Sequence, residues 1–527
     1  MTGPVRSSGL LVPLFSAPSS NSWGIGDIGD IAPLAAWLEG AGQRILQLLP
    51  LNEMAAGHQS PYSAMSAMAI DPIYIRVSAV EEFVANGGDA SLDADDQARL
   101  ERARAAARVE YATLRPVKHH ALCAAFERFL DHEWRQDTAR AAECRAYIAD
   151  EAWWLDDYAL FRAIHEQQHG RTWTEWPDGL RHRDPAALDA ARRDLARDML
   201  FYQYLQWIAG TQWKAARAAA QAHGVSLFGD LPFMVDLHSA DVWAHQDHFR
   251  LDRSVGVPPD AFSATGQDWG MPAYNWEAMA SNGFAWLRSR ARRSAALYDG
   301  YRVDHLVGFF RTYSRPRDGD GEPAFSPARQ VDQLRLGEQV LRIFREPGSQ
   351  IIAEDLGTVP DFVRATLTIL RVPGFRVVRW ERDWEGDEKA FRDPAAYPTV
   401  SVATTGTHDT EPMVTWWDAA NEEERAALVA VPSIQAVADT TDLLNEPFVP
   451  VVRDVFLEAL FASASAILLL PVQDVFGWSD RINEPATVSN DNWTYRLPWP
   501  VDQLDAHADA RERQATLRAW AEKYSRI

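Results

Sequence analysis

The chain has 527 residues, 47% hydrophobic and 24% charged, which is enough to bury a sizeable core and ordinary for a soluble globular protein. Its formal charge of -22 repels a phosphate backbone, and the short "RARRS" at 290–294 reads as a surface helix rather than a basic patch, so nucleic acid is excluded as a partner. Two cysteines, Cys123 and Cys144, have no metal-like companions, which excludes a disulfide framework and points to a reducing compartment.

In chain order, "MTGPVRSSGLLVPLFSAPSS" lacks the pattern of a signal peptide. "GIGDIG" at 24–29 follows no convincing strand and reads as a loop entering a helix near Asp30, not as a nucleotide fingerprint. "RILQLLPLN" (44–52) is the first clear strand, and a weaker one is expected near 68–77. An insertion subdomain is placed at 80–223, with 97–223 helical by composition and periodicity. "TWTEWPDGLRHRDP" (172–185) interrupts it, with tryptophans that either dock a ligand or fasten the insertion. Further strands are expected at 224–235, 300–310, 349–357, 375–380, 399–409 and 466–477, with helices at 279–298, 328–346 and 421–430. The Gly/Pro/Ser-rich segment 250–276 suits an active-site cover better than packed secondary structure. "AILLLPV" is too short and too broken by Pro471 to span a bilayer, and the last 22 residues read as one amphipathic helix closing the barrel.

Apolar strands alternating with helices predict a parallel sheet covered on both faces, and a count of eight favours a closed barrel. The expected fold class is therefore α/β: a (β/α)8 TIM barrel spanning 1–527 as a single catalytic domain, with a largely helical insertion, long active-site loops and no separate C-terminal β-sandwich.

Asp304 in "YRVDH", Glu354 in "IIAED" and Asp409 in "TGTHD" lie near C-terminal strand ends, which share one face of a parallel barrel. Three convergent carboxylates suit chemistry at an acetal carbon: one attacks, one protonates the departing oxygen, and one holds the ring hydroxyls. Each acid also has a structural reading. Asp304 can pair with Arg302, Glu354 is shadowed by Asp355, which alternation would point the other way, and Asp409 can cap a helix. The 21 Trp, 14 Tyr and 22 Phe suit sugar faces, though core packing claims most of them. These residues alone reach a barrel enzyme with an acidic centre.

The chain resembles the amylomaltase, or 4-alpha-glucanotransferase, family (glycoside hydrolase family 77, related to the alpha-amylase barrels). The resemblance rests on "SSNSWGIGDIGDI", "SPYSAMSAMAIDPIYI", "GDLPFMVDLHSADVW", "GVPPDAFSATGQDWGMPAYNW", "YRVDH", "IIAEDLG", "TGTHD" and "RINEPATVSNDNWTYRL", in the family's order. It implies retaining transfer of an α-1,4-glucan segment, with Asp304 as nucleophile, Glu354 rather than Asp355 as acid and base, and Asp409 gripping the sugar hydroxyls. It further implies substrate contacts by Ser60, Tyr62, Asp230 (positioning substrate or anchoring a loop), Arg302, His408 and Asn483, and acceptor-side contacts by Asp260, Gln267 and Trp269. His305 is left between a ligand and a packed strand-end histidine.

Ala261, Met271, His238 and Ala486 depart from the family's usual spelling at places that bear on acceptor geometry. The rival readings are a retaining α-glucan hydrolase and a catalytically silent glucan-binding protein, and the latter predicts loss of part of the acidic trio. Expected partners are maltooligosaccharides, amylose or glycogen-derived chains, with no membrane, no metal, no obligatory cofactor and a cytoplasmic location.

Overall fold

The computed structural model describes residues 6–55, 57–259, 266–383, 390–438, 442–485, 487 and 489–527. Among them, twelve strands occur in chain order: β1 (Ser7–Leu11), β2 (Ile45–Gln47), β3 (Ser226–Leu231), β4 (Phe249–Val257), β5 (Gln267–Tyr274), β6 (Gly300–Val303), β7 (Thr312–Pro316), β8 (Ala324–Ser326), β9 (Gln350–Ala353), β10 (Gly374–Val377), β11 (Ser401–Thr404) and β12 (Ile467–Pro471). Eight of these close a barrel in the order β1-β12-β11-β10-β9-β6-β3-β2, every pairing parallel. The expected eight-stranded barrel is therefore present.

One strand differs from expectation. The eighth member is β1, not a segment at 68–77. There Asp71 caps a 3-10 turn, Pro72–Tyr74, by accepting from the Ile73 N–H at 2.9 Å. Proline just inside such a turn presets its φ and removes a ladder donor. β1 includes Gly9, where a Cβ would stand 2.2 Å from the Ile45 carbonyl oxygen of β2. The close approach of the two strands requires glycine.

Strand alternation divides the apolar residues into two layers. Ile45, Phe228, Ile352, Phe375, Val402, Ile467 and Leu469 form a separate buried cluster contributed by six barrel strands, which fills the barrel. The opposite phase packs on the helical ring, so strands such as β11 and β12 are buried at every position. Helices Gln330–Arg345 and Glu422–Val429 stand where expected, whereas the stretch expected as one helix at 279–298 is two, Trp276–Ser281 and Ala285–Leu297, parted by left-handed Gly283 and Phe284. The final helix, Ala508–Lys523, packs against the helix Ile31–Gly40 that leads from β1 to β2.

Between β2 and β3 run the long helices Tyr111–Phe129, Ala139–Gln167 and Ala196–Ala222. Trp173 and Trp176 are both buried and act as fasteners. Trp173 Nε1 donates to the Leu237 carbonyl beyond β3 at 2.9 Å, and Trp176 meets Trp243 edge-on at 5.7 Å. The 250–276 segment, expected to be irregular, instead contributes most of β4 and β5 to a four-stranded antiparallel sheet in the order β5-β4-β7-β8. Glycine and proline misled here because β4 and β5 pair with register shifts between Arg250 and Gly256, where such residues are tolerated. No helix among the described residues is long and apolar enough to cross a membrane.

Candidate active site

Alternation selects which side chains reach the barrel mouth. On β6, Gly300 faces inward, where a Cβ would meet the Phe228 ring at 2.6 Å. Two-residue steps then bring Arg302 and Asp304 to the same side. Arg302 is 4% exposed, and its Nη2 meets Asp304 Oδ1 at 2.7 Å. Its Nη1 donates to both oxygens of Asp230, at 2.9 and 2.7 Å, and to the Tyr62 hydroxyl at 3.3 Å. Burial works against the guanidinium charge, but Asp230 and Asp304 hold its pKa well above the ordinary value.

The Asp230 carboxylate is fully buried against Arg302 and is not among the residues that line the cleft, which favours anchoring over direct substrate contact of the two roles expected for it. It also accepts from the Tyr62 hydroxyl at 2.7 Å. Burial, reinforced by Asp304 and opposed by Arg302, pushes its pKa up to about 6.

Glu354 follows β9 in the phase of the barrel-filling Ile352, whereas Asp355 points away. Asp355 is buried, accepts from the Phe375 N–H at 2.7 Å and meets Arg376 Nη1 at 3.2 Å. Glu354 Oε2 accepts from the His305 main-chain N–H at 2.8 Å, and Oε1 accepts from the Leu356 N–H at 3.3 Å. Burial first, and then Asp304, push the Glu354 carboxyl up to about 7 against the pull of Arg302. A carboxyl at that value holds a proton near neutrality.

His305 lines the cleft and makes two kinds of contact within the protein. Its left-handed backbone (φ 42°) turns its N–H toward Glu354. Its ring lies 5.5 Å from Phe233 and 4.9 Å from Trp269, edge-on to the latter. Burial pushes the imidazole down to about 4, so it is neutral at physiological pH.

Asp409 lies beyond β11. Burial alone would raise its carboxyl, but His408 Nε2 at 3.2 Å and the Asn483 amide at 2.6 Å bring it down to about 2. The His408 ring stacks on Tyr62 at 5.2 Å and 17°, with its Nε2 facing Asp409 Oδ2. Ser60 turns the loop that carries Tyr62, its hydroxyl accepting from the Tyr62 N–H at 3.3 Å.

Ser60, Tyr62, Arg302, Asp304, Glu354, His408, Asp409 and Asn483 line one cleft of about 1460 Å³. Gln267 and Trp269 reach it from β5, joined by a 3.1 Å bond from Trp269 Nε1 to Gln267 Oε1, and Met271 reaches it from the same strand. Asp260, Ala261 and Ala486 lie outside the described residues. His238 does not line the cleft, and its main-chain N–H donates to Asp236 at 2.7 Å. Among the described residues no cluster of His, Cys, Asp and Glu could hold a metal ion.

Two contributors were not singled out from sequence. Trp493 adopts a left-handed φ of 63° and packs 5.7 Å from both Tyr62 and His408. Arg481 braces the loop by donating to the Asp409 carbonyl at 2.7 Å. Both lie in "RINEPATVSNDNWTYRL", which has no helical or strand period to mark which residues turn inward.

The family model described as 4-alpha-glucanotransferase matches residues 12–502. The chain is 31% identical over 510 residues to a 4-alpha-glucanotransferase of Chlamydia pneumoniae, with 96% of this chain and 94% of that protein covered. It is 32% identical over 538 residues to one from Thermus thermophilus, with 99% of each covered. A solved structure of an amylomaltase from Streptococcus agalactiae in complex with acarbose superposes with a TM-score of 0.82 at 26% identity, covering 99% of both chains. With the barrel, the acidic cleft and matches over nearly the whole length, the chain belongs to the 4-alpha-glucanotransferase family.

Proposed function

We propose that this cleft moves an α-1,4-glucan segment from a donor chain to the 4-hydroxyl of an acceptor glucan or glucose by retaining double displacement. In the first step an Asp304 oxygen bonds to the anomeric carbon, the bond to the leaving O4 breaks, and Glu354 gives that oxygen its proton. In the second, Glu354, now ionised, takes the proton of the acceptor 4-hydroxyl as that oxygen displaces Asp304. Asp409 stays ionised to bind ring hydroxyls as positive charge develops, with Asn483 and His408 fixing its two oxygens. Tyr62 and Trp493 offer aromatic surface to the reacting sugar, and Gln267 and Trp269, with Asp260, serve the acceptor side.

One observation carries this reading. A carboxyl raised to about 7 and a carboxylate ion-paired to Arg302 share one cleft with an acid lowered to about 2. Environments that drive neighbouring acids apart separate proton donor from charged partner. The complete trio argues against a silent binding protein. The whole chain forms one catalytic domain in this reading, with 80–223 as a helical subdomain and 250–276 covering the acceptor side. The unpaired Cys123 and Cys144 favour action in the cytoplasm.

Incubation with maltotriose followed by product separation tests the proposal. Transfer yields free glucose with a ladder of longer and shorter glucans. Shorter products without a ladder mean that water captures the intermediate, and the reading becomes a hydrolase.

A further inference from the structure

The loop that carries Tyr62 is held from outside the barrel. After β2 the chain doubles back on itself, with bridges from Asn52 to Ile70 and from Met54 to Ala64. Backbone bonds from Glu53 N to the Ala69 carbonyl (3.1 Å), from Met65 N to the Glu53 carbonyl (2.6 Å) and from Ala55 N to the Ser63 carbonyl (2.8 Å) close its stem. Ser60 and Tyr62 lie in the stretch that the stem presents to the cleft.

The Glu53 side chain points the other way and is 4% exposed. A carboxylate at that depth needs partners, and both come from the helix Ala139–Gln167. The Tyr158 hydroxyl donates to Glu53 Oε2 at 2.5 Å, and Arg162 Nη2 meets Oε1 at 3.3 Å. Four residues apart, these side chains share one helix face. Arg162 Nη1 also reaches the Met65 sulfur at 2.8 Å, on the returning limb. Neighbouring helices hold the base of the loop. Gln206 accepts from the Ile70 N–H at 3.0 Å and donates to the Ile70 carbonyl at 2.8 Å, and Arg115 grips Asp71 with bonds of 3.0 and 2.8 Å.

We infer that the helical insertion sets the active-site loop, with Tyr158 and Arg162 as positioning residues that act on Tyr62 through Glu53. Neither lines the cleft, so neither touches substrate. At the cleft end Tyr62 meets Asp230, Arg302, His408 and Trp493, and the stem behind it is gripped by the Glu53 clamp, so the insertion helps to set where that ring sits. This rests on Tyr62 serving the reaction as proposed above.

The test is a double-mutant cycle on maltotriose disproportionation, using Tyr158→Phe, Tyr62→Ala and the pair. Tyr158→Phe keeps its volume and is expected to lower kcat/KM roughly tenfold, because small misplacements of a substrate-holding group are costly. Acting through the Tyr62 ring, it should add less than about twofold to the loss in Tyr62→Ala. Multiplying losses would overturn the inference, as would full activity in Tyr158→Phe with only a lowered denaturation midpoint. If Tyr158→Phe does not fold, Arg162→Lys is carried through the same cycle with the same two outcomes. An inert Tyr62→Ala would overturn the reading of Tyr62 itself and the inference with it, whereas multiplying losses on a damaging Tyr62→Ala overturn the inference alone.

Discussion

Replacing Glu354 by glutamine should make the protein inactive and, above neutral pH, more stable. The carboxyl sits at about 7 in the folded protein against an ordinary value of 4.5. The folded state therefore binds the proton more tightly than the unfolded state, and stability falls as pH rises through that window. At about 1.4 kcal/mol per pKa unit, ionising Glu354 costs at most about 3 kcal/mol above pH 7 and about 1 kcal/mol at pH 5.5. Glutamine, neutral throughout and nearly the same shape, escapes this cost, while the protein's other titrations cancel between the two forms. Denaturant unfolding at pH 5.5 and 8.5 is the assay. The advantage of Glu354→Gln over the parent should grow by about 2 kcal/mol between the two pH values. An advantage that is equal at both would mean that Glu354 titrates like an exposed acid, and the assignment of the proton donor would fall. The parent's kcat/KM should decline about tenfold per pH unit above 7, as the protonated form is depleted.

Asn483→Ala removes the 2.6 Å donor to Asp409 and should lift that carboxyl from its value of about 2, moving the acid limb of the kcat/KM profile upward. Loss of one charge-assisted bond at the transition state should cost roughly tenfold or more in kcat/KM, with little change at the alkaline limb. Asp355→Asn should keep most of the activity but lower stability by about 1–3 kcal/mol, because it disturbs the acceptor for Phe375 N and Arg376. Activity lost in Asp355→Asn, with stability intact, would reverse the assignment of the two adjacent acids.

Legibility in the sequence followed the local signal. Buried strands such as "AILLLP" and the run ending at Asp304 were readable because both faces are apolar. β1 was not, because "SSGLL" is short and its glycine answers a contact with Ile45 that no local pattern records. The weak strand expected at 68–77 was apolar for another reason: Ile70, Ile73 and Tyr74 are buried under the insertion's helices as loop and 3-10 turn. The β4–β5 hairpin was hidden by the residues that relieve its irregular register.

At the site, the three acids stood out as polar interruptions at strand ends. Family spelling supplied the roles, including the choice of Glu354 over Asp355, which alternation alone only set on opposite faces. Asp230 could not be told from a substrate contact, since its seclusion depends on Arg302 crossing from β6. Trp493 and the Glu53 clamp were invisible because each joins segments far apart in sequence, Tyr158 lying 105 residues from Glu53.

The most direct test of the central claim is covalent trapping. Glu354→Gln, lacking the base for the second step, is incubated with a maltotriosyl fluoride donor, whose leaving group needs no protonation. The digested protein is then mapped by mass spectrometry. The account predicts a maltotriosyl adduct on the peptide that contains Asp304, absent when Asp304 is also replaced by asparagine. An adduct on Asp409 or another carboxylate, or turnover of the donor with no adduct and an inverted product, would contradict it.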